Sequence, residues 1–198
     1  MDEALRHFKK VDPILYELSL KIEPFEVEKS SDYFVSLTRE IIGQQLSGRV
    51  AEVIFERFEN LFPNRKINAK YLLTIPNQKL RDAGTSWGKV SFLKDLALKV
   101  KRGELNLETI DILSNEEVIV ELTKVKGIGP WTAEMFLMFA LGRPDVFSAG
   151  DLGLQNAIVK HYKFKSKPER DKLLEISAKW SPHRTIASRI LWRSLDLK

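Results

Sequence analysis

Cysteine is absent from this 198-residue chain, which removes disulfides, thiolate metal sites, Cys-ligated iron-sulfur clusters and Cys nucleophiles together. The three histidines, His7, His161 and His183, are scattered and show no partnered serine or metal-binding spacing; His183, in "SPHRT", reads as a helix-start residue. Carboxylates, hydroxyls, lysines or histidines must carry any chemistry. Two stretches stand out. In "VKGIGPWTAE" (125–134), Gly127 and Gly129 stand one residue apart before Pro-Trp and an apolar run. In "DVFSAGDLGLQNAI" (145–158), Asp151 opens a helical run after a loop bearing glycine and proline, and Asp145 is a weaker carboxylate candidate earlier in that loop. Asp151 is also a good N-cap, a role that needs no catalysis.

The elements that must position these residues read as helices nearly throughout. Asp12-Pro13 opens "ILYELSLKI", and Ser31 opens "DYFVSLTREIIGQQL", where Phe34, Leu37, Ile41 and Ile42 keep a helical period. "GRVAEVIFERFENLF" repeats the pattern with Val50, Ile54, Phe58 and Leu61, and "KVSFLKDLALKVKRG" ends on basic residues and Gly103, as helix C-termini favour. Ser114 with Glu117 and Ser166 with Glu169 have capping-box spacing, and Pro130 and Pro182 suit first helical positions. Sustained strand alternation, repeats and long linkers are missing. The expected fold class is all-α, with about ten short helices.

Because "KGIG" falls between two helices rather than after a strand, it is neither a dinucleotide fingerprint nor a P-loop. Glycines there permit a sharp turn and a close approach by another molecule. The N–H groups of Gly127, Ile128 and Gly129 are expected to point outward at the positive end of the following helix, flanked by Lys124 and Lys126, an arrangement suited to a phosphate oxygen. Charge agrees in sign. The net charge is +5, and residues 160–198 carry 11 Lys and Arg against 4 Asp and Glu, or +7, leaving −2 for the rest. An anion-facing C-terminal segment is expected. No apolar run reaches the roughly 18 to 20 residues of a membrane span, and the charged "MDEALRHFKK" start is unlike a signal peptide, so an intracellular protein is expected, in the cytoplasm or nucleoid of a prokaryote or the nucleus of a eukaryote.

The turn with its two helices resembles the helix-hairpin-helix, a DNA-backbone binding element. Hairpin, apolar helix, Gly/Pro loop and Asp in this order resemble the HhH-GPD superfamily of DNA base-excision glycosylases. "IIGQQLSGRVAEVIFERF" (41–58), "KVSFLKDLA" (89–97), "VKGIGPWTAEMFLMFAL" (125–141) and "WSPHRTIASRILW" (180–192) look like its 3-methyladenine DNA glycosylase II branch, in a compact form without an N-terminal β domain. The resemblance implies a two-lobed fold with an active cleft between lobes: residues 1–30 with 143–198, and a central lobe of 31–142 holding the hairpin at about 114–142.

The resemblance also implies roles. Asp151 would be catalytic. Trp131 and Trp192 would form the base pocket, with Met135 standing where the bacterial enzyme has an aromatic residue. Gln45, with Gln44 beside it and Leu46 next, would enter the vacated stack. Lys124, Lys126, Gly127, Ile128 and Gly129 would grip the DNA backbone. Carbonyls of Thr123, Val125 and Ile128 would hold Na+ or K+, and no iron-sulfur cluster or other cofactor would be required. Relatives that also cut the strand use a lysine where this chain has Trp131, so a monofunctional, hydrolytic, monomeric enzyme acting on double-stranded DNA with 3-methyladenine or 7-methylguanine is implied. A glycosylase for oxidised or deaminated bases and a non-catalytic DNA-binding module are the alternatives.

Overall fold

The computed structural model describes residues 1–197; Lys198, the last residue of the basic C-terminal segment, lies outside the described residues. Among the described residues the regular structure is twelve α-helices and two single 3-10 turns, with no strand. In chain order the helices are α1 (Asp2–Val11), α2 (Pro13–Ser19), α3 (Tyr33–Gly43), α4 (Gly48–Glu59), α5 (Ala69–Thr74), α6 (Asn77–Asp82), α7 (Trp87–Arg102), α8 (Asn115–Thr123), α9 (Pro130–Phe139), α10 (Leu152–His161), α11 (Arg170–Ala178) and α12 (Arg184–Ser194). The count exceeds the expected ten because α5 and α6, six residues each, are too short to show a period. No helix is long and apolar enough to cross a membrane among the described residues.

The chain divides into two compact units. One is Met1–Lys29 with Gly142–Lys198, and the other is Ser30–Leu141.

The unit of residues 30–141 is built on α3, α7 and α9. On α3, Phe34, Leu37, Ile41 and Ile42 are all buried, and α9 contributes Ala133, Met135, Phe136, Leu137 and Met138 to the interior. Asp32, not Ser31, caps α3: its Oδ1 accepts from the Val35 N–H at 3.0 Å. Both are good caps, and one residue of register separates them. On α4 the buried pair is Phe55 and Phe58, whereas Val50 of the expected stripe is exposed. Gly103 ends α7 in the left-handed conformation, φ +72°. Lys94 sends its ammonium into three carbonyls of the α5 terminus, Leu72, Leu73 and Ile75, at 2.5–3.2 Å.

In the other unit, Phe8, Leu15, Leu154, Ile158, Ile190 and Leu191 pack around Trp180. Buried Asp12 organises the polar part of this core. Its Oδ1 accepts from the Leu15 N–H at 3.1 Å, capping α2, and its Oδ2 accepts from the Trp180 indole at 2.8 Å and the Tyr162 hydroxyl at 2.6 Å. Burial, with the adjacent Asp12 carboxylate, pushes the Tyr162 hydroxyl well above its ordinary range.

Two expected helix starts differ. Ser166 does not form a capping box, because α11 begins at Arg170 with Glu169 as N-cap; Pro168 disfavours helical backbone at Lys167, so a helix cannot run from Ser166. Pro182 precedes α12, which starts at Arg184 with His183 as N-cap. Residues 180–183 are used in a turn, closed by the His183 N–H to the Trp180 carbonyl at 2.7 Å.

Candidate active site

In the unit of residues 30–141, the capping box of Ser114 and Glu117 forms as expected: the Glu117 N–H donates to Ser114 Oγ at 3.2 Å and the Ser114 N–H to Glu117 Oε2 at 2.7 Å. It starts α8, which leads to the hairpin turn. There Ile128 is buried, pinning the turn to the interior, and its N–H donates to the Val125 carbonyl at 3.1 Å. This corrects the expectation of three outward N–H groups, since the turn itself consumes that of Ile128. Gly127 and Gly129 flank it in the turn. They differ in constraint. Gly127 has φ +80°, and a Cβ there would lie 2.1 Å from Cδ2 of Phe92 on α7; Gly129 has an ordinary φ of −96°, and a Cβ there would meet nothing within 4 Å.

Pro130 occupies the first position of α9 and no side chain caps that helix. Its first turn carries no acidic side chain, so the positive helix end is not neutralised from within that turn. Lys126 and Lys124 are both exposed; Lys126 donates its N–H to Asp95 at 2.8 Å, and Lys124 pairs with Glu121. Thr123 ends α8, where carbonyls lack helical partners. The Val125 carbonyl is already an acceptor for the Ile128 N–H. No group of three or more His, Cys, Asp or Glu side chains stands ready for a metal among the described residues.

The segment after α3 is tied to this hairpin. Gln44 donates through Nε2 to the Gly127 carbonyl at 2.8 Å and to Thr132 Oγ1 at 3.3 Å, so its side chain ties the segment after α3 to the turn. Gln45 is exposed and held at φ +59°, a left-handed conformation that costs a non-glycine residue about 1–3 kcal/mol. Lys89 of α7 holds it there by donating to the Ile42 and Gln44 carbonyls at 2.8 and 2.7 Å. Burial lowers the pKa of that ammonium.

Trp131, 43% exposed, lines a cavity of about 380 Å³ with Arg39, Glu40, Gln44, Gln45 and Leu46. Met135 is 5% exposed and does not line it; it belongs to the interior of α9 rather than to the cavity.

In the other unit, Asp151 is buried at the head of α10. It is the N-cap of α10, with Oδ1 accepting from the Leu154 N–H at 2.8 Å, and the same oxygen accepts from the Trp192 indole N–H at 2.8 Å. Asp151 is 8% exposed. Gly153 makes this pairing possible: a Cβ there would lie 2.9 Å from Trp192 Cδ1 and 3.1 Å from Asp151 Oδ1. Trp192 thus orients the carboxyl group, beyond any part in a base pocket.

Asp145, the weaker carboxylate candidate, is held in a polar cluster with Arg184 and Ser181. Its carboxyl accepts two guanidinium bonds from Arg184, at 2.7 and 3.1 Å, one from the Ser181 hydroxyl at 2.8 Å and one from the Arg184 N–H at 3.3 Å. Burial pushes it up, but the Arg184 and Ser181 hydrogen bonds and the Arg184 charge outweigh this and hold it below the usual carboxylate range. The Trp-x-Pro-x-Arg ending is accordingly structural, with Trp180 in the core and Arg184 anchoring the loop that carries Asp151. Some of the C-terminal basic charge is likewise used internally. The Arg189 and Arg193 guanidiniums lie 4.2 and 4.3 Å from the Phe25 ring centroid and donate to the Glu26 and Glu23 carbonyls.

The motifs assign no role to three residues of these surroundings, Glu40, Lys89 and Gly153. Glu40 alone had a signal, being a carboxylate three residues after buried Leu37 and four before Gln44, on an inward-facing stripe.

A family model described as the HhH-GPD superfamily base excision DNA repair protein matches residues 38–183. The Bacillus subtilis protein YfjP is 36% identical over 162 residues, 79% of this chain, and the matched part spans 56% of YfjP. DNA-3-methyladenine glycosylase 1 of Schizosaccharomyces pombe is 34% identical over 173 residues, 86% of this chain and 75% of its own length. The solved structure of Schizosaccharomyces pombe 3-methyladenine DNA glycosylase (Mag1) in complex with abasic DNA superposes with a TM-score of 0.85 at 31% identity, covering 96% of this chain and 95% of that one. The hairpin, the capped aspartate behind it in sequence and a match over most of the length agree: the chain belongs to the HhH-GPD superfamily of base excision DNA repair proteins.

Proposed function

We propose that the protein is a monofunctional DNA glycosylase that flips alkylated purines of the 3-methyladenine and 7-methylguanine class out of duplex DNA and removes them by hydrolysis, leaving an abasic site. The observation that carries this reading is the Asp151 carboxyl group, nearly buried and fixed by two donors on one oxygen. Cleaving an N-glycosidic bond builds positive charge on the sugar, and a carboxylate preorganised in a dry site stabilises that charge without reorganising. Alkylation already makes the purine a cationic leaving group, so it needs no proton from a general acid and one carboxylate suffices. The C1′–N bond breaks, the base departs with the bonding electrons, and water adds to C1′ and gives up a proton to solvent.

A stacked base is out of reach, so unstacking, at a few kcal/mol, must come first. Gln45, displayed at the turn after α3, would fill the gap. The Gly127 and Gly129 N–H groups and the α9 terminus would take backbone phosphate, with Lys124 and Lys126 adding charge; the carbonyls of Thr123, Val125 and Ile128 would hold a monovalent cation that brings further positive charge to the turn. The Trp131 face would receive the base, since a cationic ring is drawn to an indole face. Names given to the relatives, DNA-3-methyladenine glycosylase 1 and Mag1 with abasic DNA, support the same substrate class.

Two measurements test this reading. Trp131 cannot supply the amine that an enamine route to strand cleavage requires, so borohydride added during turnover should trap no protein-DNA adduct, and strands should break only after alkali or heat. An adduct forming as fast as base release, and lost in a Lys124 or Lys126 variant, would overturn the hydrolytic mechanism. The phosphate grip is tested by Gly129→Val, which the open space at Gly129 allows to fold. Backbone contacts position without reading sequence, so this variant should bind any duplex roughly tenfold more weakly and independently of the lesion, and wild-type binding should fall as salt rises. Gly129→Val binding as tightly as the wild type would reduce the hairpin to a turn.

A further inference from the structure

The cavity at Trp131 holds a carboxyl group to which neither catalysis nor DNA binding has given a task. Glu40 lies on α3 one turn before Gln44, is partly buried, and lines the cavity with Trp131, Gln44 and Gln45. Three charged side chains line it, Arg39, Glu40 and Glu52, one positive against two negative, a balance of −1. Arg39 is committed to α4: its guanidinium pairs with Glu52 and lies 3.8 Å from the Phe55 ring centroid. From α7 the ammonium of Lys89 is occupied by the Ile42 and Gln44 carbonyls. The charge the cavity retains for a ligand is therefore that of Glu40. Burial pushes its carboxyl above the ordinary range, and the Arg39 charge only partly opposes this.

We propose that Glu40 reads the charge of the flipped base, using the negative balance of the Trp131 cavity to favour formally cationic alkylated purines over neutral bases. The inference rests on the glycosylase reading and names its selectivity. A half-buried carboxylate lacks part of its solvation, and a cationic base restores that loss as a counter-charge while its exocyclic amine donates to a carboxylate oxygen. A neutral base offers the hydrogen bond without the charge and leaves the desolvation uncompensated. The indole face of Trp131 and the carboxylate of Glu40 thus select for the same property of the ligand, its positive charge.

The test compares wild type, Glu40→Gln and Glu40→Asp in single-turnover release of 7-methylguanine, a fixed cation, and hypoxanthine, a neutral base, from otherwise identical duplexes. Thermal unfolding and affinity for an abasic duplex report whether fold and backbone grip persist. Glu40→Gln should release 7-methylguanine about 10- to 100-fold more slowly, the scale of losing one hydrogen bond to a charged group, with hypoxanthine release unchanged or raised. Glu40→Asp, which keeps the charge, should retain most of the preference. Unchanged 7-methylguanine release in Glu40→Gln, an equal fall for both bases, or equal losses in the Gln and Asp variants would each overturn the inference while leaving the glycosylase reading standing. Wild-type protein that releases no methylated base would overturn both.

Discussion

Asp151→Asn is expected to lower single-turnover base release by about 10² to 10³-fold, the loss that follows removal of one preorganised electrostatic group. Asparagine keeps the carbonyl oxygen that can accept from the Leu154 N–H and the Trp192 indole, and it caps helices as well as aspartate does. What it removes is the charge. Thermal stability and affinity for undamaged duplex should therefore stay close to wild type, while release of 7-methylguanine collapses. Release within a few fold of wild type would show that Asp151 is a helix cap and nothing more.

Gly127→Val should damage the fold rather than the chemistry, with a loss of roughly 2–5 kcal/mol from left-handed backbone strain and overpacking combined. The cause is local. At φ +80° a β-branched residue is strained, and its Cβ would fall within 2.1 Å of the Phe92 ring. Thermal or denaturant unfolding should show the loss directly, accompanied by loss of DNA binding, because the Gly127 carbonyl is also the acceptor that holds Gln44. Gly129→Val should leave the midpoint of unfolding within a degree or two. Equal stabilities for the two variants would contradict the division of labour between the glycines, one for the turn and one for the approach of phosphate.

Periodicity made the helical fold legible because α3, α7 and α9 bury long continuous stripes. Where an element is shorter than two turns, as α5 and α6 are, there is no period to read. Register at helix starts was legible only to a residue, since Ser31 and Asp32 are both able to cap α3 and only tertiary packing selects Asp32. The candidate site was legible where backbone chemistry restricts residue choice, at Gly127 and at the head of α10. It was not legible where a side chain acts across a large sequence separation. Lys89 reaches Gln44, Trp192 reaches Asp151 and Arg184 reaches Asp145, and no local pattern encodes such reach. Gln44 illustrates the point. Sequence placed it only as the neighbour of Gln45, the candidate wedge, and its reach to the Gly127 carbonyl, 83 residues away, is visible only in the structure.

The central claim, that this chain hydrolyses the glycosidic bond of alkylated purines, is tested most directly by incubating the purified protein with methylated duplex DNA and resolving the released bases by chromatography. The account predicts peaks of 3-methyladenine and 7-methylguanine that grow with time, require Asp151, and leave strands intact until alkali is added. No released base from methylated DNA, or release confined to duplexes carrying an oxidised base such as 8-oxoguanine, would contradict it.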